Sequence, residues 1–88
     1  MKDKLRDINY AKEKLQEYSK KGLEVELCIN IKGRKYMIIP FKDKASFQEI
    51  GVTDEFYYNS IEELFSSTLI NDIILNRDWN TIEEIYYY

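Results

Sequence analysis

Histidine is absent from this 88-residue chain. The commonest general base near neutral pH and the commonest transition-metal ligand are therefore missing. Neither a Ser-His nor a Cys-His nucleophile pair can be assembled within one chain. Cysteine occurs once, at Cys28, so no intrachain disulfide can form and a classical zinc site lacks its thiolates. The three glycines, Gly22, Gly33 and Gly51, lie too far apart for a phosphate-cradling loop. Calcium has no Asp-x-Asp-x-Asp-Gly loop to bind. These absences leave a small carboxylate enzyme as the last alternative, and no catalytic residue, cofactor or metal is expected. Apolar runs fall short of the ~18 residues a membrane span needs. The opening MKDKLRDINY carries no signal-type apolar stretch, so the cytoplasm is the expected location, with no membrane partner.

The chain does have a dense apolar and aromatic content. Hydrophobic residues make up 44% and aromatic residues 15%, which argues for a packed fold despite 33% charged residues. Length and the lack of Pro/Gly-rich linkers predict one domain over residues 1–88. Charge is uneven. Residues 1–44 hold 12 Lys/Arg and 7 Asp/Glu, a sum of +5; residues 45–88 hold one Arg and 9 Asp/Glu, a sum of −8. The acidic half should repel nucleic acid and attract basic protein surfaces.

Periodicity gives the elements. Leu5, Ile8, Ala11, Leu15 and Tyr18 recur at helical spacing, with Asp3 as the expected N-cap and Gly22 as the closing residue. LEVELCINI alternates at period two from Leu23 to Ile31. A Lys32–Gly33 turn then returns the chain as RKYMIIPF, which sets Tyr36 opposite Ile29 and Ile38 opposite Leu27. The other face of this pair carries Cys28, Met37, Ile39 and Phe41, so it too is apolar and calls for cover. Cys28 itself reads as a small packed hydrophobe. ASFQEI is a candidate third strand, and EFYY is either a short fourth strand or an extended approach to a helix. Ser60 and Glu63 form a capping box, starting a helix at Ile61. NRD at 76–78 reads as a loop, and Trp79, Ile82, Ile85 and Tyr86 as the inward side of a last helix. The expected fold is α+β: an N-terminal helix, a three- to four-stranded antiparallel meander, and C-terminal helices packed with it.

The candidate site is a partner-binding surface. Glu55, Glu62, Glu63, Glu83 and Glu84 supply negative charge, and Tyr58 and Tyr87 supply amphipathic rings. The alternative for these carboxylates is a solvated helix face, and for Tyr87 a frayed terminus. Only KGRK, with Lys32, Arg34 and Lys35, is a compact basic patch, so nucleic-acid binding stands behind protein binding. The apolar second face of the sheet makes a homodimer an open alternative.

A lysine-rich first helix, then INIKGRKYMIIPF, then the acidic NSIEELF helix resembles small accessory proteins of phages and mobile elements. Compact anti-CRISPR proteins that inhibit Cas9 share this order and an acidic surface. The resemblance is one of element order and charge over the whole chain, without a motif. It implies an inhibitor that occupies the basic, nucleic-acid-binding groove of a nuclease. The alternatives are an immunity protein or antitoxin against a basic toxin, and a small nucleic-acid-binding regulator using the hairpin tip.

Overall fold

A computed structural model describes residues 2–88, with side chains from Lys4 onward. A short 3-10 turn at Lys2–Arg6 leads into helix α1, Ile8–Lys21. The Asp7 carboxylate caps α1, accepting from the backbone N–H groups of Asn9 and Tyr10 at 2.9 and 3.4 Å. The cap is thus four residues later than expected; the Asp3 side chain lies outside the described residues. Gly22 ends the helix in the left-handed region, with φ of 71°.

Five strands follow: β1, Leu27–Ile31; β2, Arg34–Phe41; β3, Lys44–Glu49; β4, Phe56–Tyr58; and β5, Ile82–Tyr87. Between β4 and β5 come α2, Ile61–Ser66, a 3-10 turn at Ile70–Asp72, α3, Leu75–Asp78, and a 3-10 turn at Trp79–Thr81. The sheet is antiparallel throughout, in the order β4-β3-β2-β1-β5. The β1–β2 hairpin has the expected register, Ile29 with Tyr36 and Leu27 with Ile38. Its two turn residues, Lys32 and Gly33, both have positive φ, as a type I′ turn requires. Ser60 accepts from the Glu63 N–H at 3.0 Å, so α2 begins where the capping box places it. The β4 strand is as short as its three-residue aromatic run.

Strand alternation sorts the sheet into two faces. One bears Leu27, Ile29 and Ile31, Tyr36 and Ile38, Ala45 and Phe47, and Ile82 and Ile85. Helices cover it: Ala11 and Leu15 of α1, Ile61, Leu64 and Phe65 of α2, and Leu75 and Trp79 beyond complete one buried cluster. The Trp79 indole donates to the buried Leu5 carbonyl at 3.0 Å, tying the two ends of the chain together. Tyr36 and Phe47 stack across β2 and β3, with ring centroids 5.2 Å apart.

Two expected elements differ. NRD is the end of α3 rather than a loop: Asp78 accepts from the Ile74 N–H at 3.1 Å and closes that single turn. The last segment is a strand, not a helix. Register runs Ile29–Ile85, Asn30–Glu84 and then Ile31–Ile82, so Glu83 is an extra residue in β5. That bulge puts Ile82 and Ile85, three apart, on the same face. A spacing of three imitates a helix, and the imitation reverses the sides of the terminal rings. Tyr86 lies opposite Cys28 on the far face, whereas Tyr87 lies opposite Leu27 on the core side.

Candidate protein-binding surface

The seven residues singled out from sequence fall into two groups. Glu55, Tyr58, Glu62 and Glu63 sit around β4 and α2; Glu83, Glu84 and Tyr87 sit on β5. Strands β3, β2 and β1 lie between them. At ~4.8 Å per strand the two edges are about 19 Å apart. The carboxylates therefore do not form one surface in a single chain.

Most of them also have work inside the fold. Glu55 accepts from the Ser46 hydroxyl at 2.7 Å and from the Tyr57 hydroxyl at 2.8 Å. Glu62 and Glu63 are exposed on α2, as expected, and Glu62 pairs with Lys12 at 3.2 Å. Glu83 accepts from the Gly33 N–H at 3.1 Å, and Glu84 from the Asn30 amide at 3.0 Å. Arg6 donates to the carbonyls of Ile82 and Glu83, satisfying backbone groups at the β5 bulge. Tyr58 is half-buried against the core, and burial raises its pKa. Tyr87 meets Tyr18 edge-on at 6.2 Å, and burial raises its pKa strongly. It is paired within β5 and packs on Tyr18 while remaining 40% exposed.

The basic hairpin tip is engaged in part, through Arg34. Arg34 pairs at 2.9 Å with Glu49, which is only 5% exposed. Asn71, held in the left-handed region, donates to Glu49 at 3.0 Å and to the Tyr36 hydroxyl at 2.9 Å. The Arg34 guanidinium is the main reason the Glu49 pKa is lowered. Arg77 does the same for Asp78. Within KGRK, Arg34 is paired with Glu49 and the Gly33 N–H with Glu83, while Lys32 and Lys35 are exposed without a salt-bridge partner among the described residues.

The far face of the sheet is the surface that remains. By alternation it carries Asn30 and Cys28 of β1, Lys35, Met37, Ile39 and Phe41 of β2, Lys44, Ser46 and Gln48 of β3, Tyr57 of β4, and Glu84 and Tyr86 of β5. Buried Cys28 and Ile39 stand apart from the helix-covered cluster. They are shielded by their own neighbours in the sheet. Met37 takes the Gln48 amide at 3.8 Å on its sulfur. Burial pushes the Cys28 thiol up, making it a poor nucleophile. Lys44 lies 5.7 Å from the Phe41 ring centre and 4.8 Å from that of Tyr57, which is 54% exposed. The Tyr57 hydroxyl is anchored by Glu55, which is also the main cause of its raised pKa.

Sequence reasoning finds the apolar half of this face from period-two alternation. It does not find the Lys44–Tyr57 contact, which depends on β3 pairing with β4 after a long turn. Among the described residues, no group of three or more Cys, Asp or Glu side chains could hold a metal ion. No helix of the described chain is long and apolar enough to cross a membrane. Comparison with protein-family models, with curated proteins and with solved structures gives no match.

Proposed function

We propose that this chain is a non-enzymatic protein-binding module that docks through the uncovered face of its sheet. One observation carries the reading. A five-stranded sheet has one face sealed by helices, while the other presents Met37, Phe41, Tyr57 and Tyr86 without a helix over them. Rigid aromatic and methionine side chains with a charged rim are the composition of interface centres. The Lys44 contacts and the Glu55 anchor fix the Phe41 and Tyr57 rings before any partner arrives, which lowers the entropy lost on binding.

The non-enzymatic part rests on the chemistry of the carboxylates. Glu17, Glu49 and Asp78 are shifted downward, each by a neighbouring cation, and they belong to three different elements. An acid or base poised for catalysis needs the opposite shift and a converging partner. Blocking a nuclease groove or neutralising a basic toxin is a task such a module can perform. The separation of the acidic groups favours docking by the face over DNA mimicry by a single chain.

A photo-crosslinking residue at Met37 tests the reading, with the same residue at exposed Glu13 of α1 as the control. Capture of a discrete protein from the Met37 position in source-cell extract supports the proposal. Equal or no capture at the two positions sinks it.

A further inference from the structure

We infer that the occupant of the open face is a second copy of this chain, packed face to face about a twofold axis parallel to β2. The inference rests on reading that face as a docking surface, and commits it to one partner.

The argument is self-complementarity. A twofold axis along the central strand keeps each cross-strand row level but exchanges its two sides, so β1 and β5 of one copy meet β3 and β4 of the other. On the axis, Met37, Ile39 and Phe41 meet their own counterparts, an apolar strip along the middle strand. Off the axis, the charges differ in sign. Strand β1 begins at Leu27, but the chain before it stays beside β2, since a Cβ at Gly22 would lie 3.9 Å from that of Lys42. Continuing the Leu27–Ile38 register through this stretch sets Glu24 level with Phe41, which is paired with Lys44. Glu24 of each copy therefore meets Lys44 of the other, twice per dimer. Both side chains are exposed, and neither has a salt-bridge partner among the described residues. One row along, Ile39 is level with Ser46 and Tyr57, and the Tyr88 N–H donates to the Glu26 carbonyl at 2.8 Å. Exchange then sets Tyr88 of one copy over Tyr57 of the other. Both are exposed aromatics, 87% and 54%, awaiting cover. Lys35 meets its counterpart at the hairpin rim, where water and the Glu84 of its own row temper the repulsion.

Five strands of 5, 8, 6, 3 and 6 residues, ~4.8 Å apart and rising ~3.3 Å per residue, offer roughly 450 Å² of sheet. That is about half of the ~800 Å² per partner of a standard interface, the size of a weak, micromolar contact. Two such sheets stacked ~10 Å apart give a four-layer helix-sheet-sheet-helix body. The dimer would also repair the separation of the acidic residues. Each of its long rims joins Glu55 and α2 of one copy to Glu84 of the other.

Charge reversal tests this directly, read by sedimentation equilibrium from about 1 to 500 μM, a range that brackets micromolar affinity. Wild type should pass from monomer to dimer. Glu24→Lys and Lys44→Glu should each weaken the dimer by ~10-fold or more. An equimolar mixture of the two variants should dimerise again. In that heterodimer the two altered positions face each other, and native Glu24 faces native Lys44. Circular dichroism should show both variants folded, since both sites are exposed. A monomer across the whole range overturns the inference, as does a dimer indifferent to both reversals. If the chain stays monomeric while Met37 crosslinks a different protein, the docking face stands and only its occupant is wrong. If it stays monomeric and crosslinks nothing, both readings fall.

Discussion

Both faces of one sheet carry large apolar groups but hold them differently. On the helix-covered face, Phe47, Ile38, Tyr36 and Ile29 are at most 1% exposed and interlock with Leu15, Leu64 and Phe65. On the other, Met37, Phe41 and Tyr86 are half-buried, shielded only by side chains in their own sheet. The first face spends its apolar surface on folding. The second keeps part of it in water, where it is useful only for association. Sequence alternation marks both as apolar, and only the helices decide which one is the core.

The sharpest way to break this contrast is to truncate one residue on each side. Phe47→Ala should cost about 3–5 kcal/mol, because the cavity beneath α2 cannot collapse. Met37→Ala should cost under about 1 kcal/mol in the dilute monomer. Urea unfolding followed by circular dichroism measures both. Comparable losses at the two positions would mean that the far face is a second core, and the docking reading would lose its basis.

A second test concerns the covered face at its polar end. Glu49 and Asp78 have pKa values below their ordinary 4.5 and 3.8, chiefly through Arg34 and Arg77. A carboxylate with a depressed folded pKa binds protons more readily when unfolded. Its stabilisation is therefore complete above the unfolded pKa and disappears as pH falls through the folded one. The urea midpoint should be flat from pH 7 to about 5 and decline below, between the unfolded and folded pKa values. Glu49→Gln should flatten that decline. If Glu49→Gln leaves the decline as steep as in wild type, the assignment of the pH response to the Arg34 end is wrong.

Much of the architecture was legible because local chemistry and burial agree. The Gly22 stop, the Lys32–Gly33 turn and the Ser60 cap each have one backbone solution, and the β1–β2 register follows from the turn length. The failures share a cause in tertiary pairing. The extra residue at Glu83 exists only because β5 pairs with β1, fifty residues earlier in the chain. Without that pairing, Ile82 and Ile85 at a spacing of three read as a helix. The candidate acidic residues are dispersed for the same reason. A sequence lists Glu55, Glu62, Glu83 and Glu84 together, but the strand order β4-β3-β2-β1-β5 sends them to opposite edges. The apolar face was visible at Cys28, Met37, Ile39 and Phe41, and the aromatic from β4 that completes it was not.

The smallest effect is also the most specific to the strand assignment at the end of the chain. In a helix, Tyr86 would face the core and Tyr87 the solvent; in the observed strand the sides are exchanged. Tyr87→Thr removes the edge contact with Tyr18 and a ring lying on the core side of Leu27, and should cost about 1 kcal/mol. Tyr86→Thr removes a half-buried ring from the open face and keeps a strand-forming side chain, so the dilute monomer should change by less than about 0.5 kcal/mol. The order of the two losses is the readout. If Tyr86→Thr is the more damaging in the monomer, IEEIYYY is a helix that closes the core, β1 has lost its outer neighbour, and the five-stranded face on which docking depends shrinks to four strands.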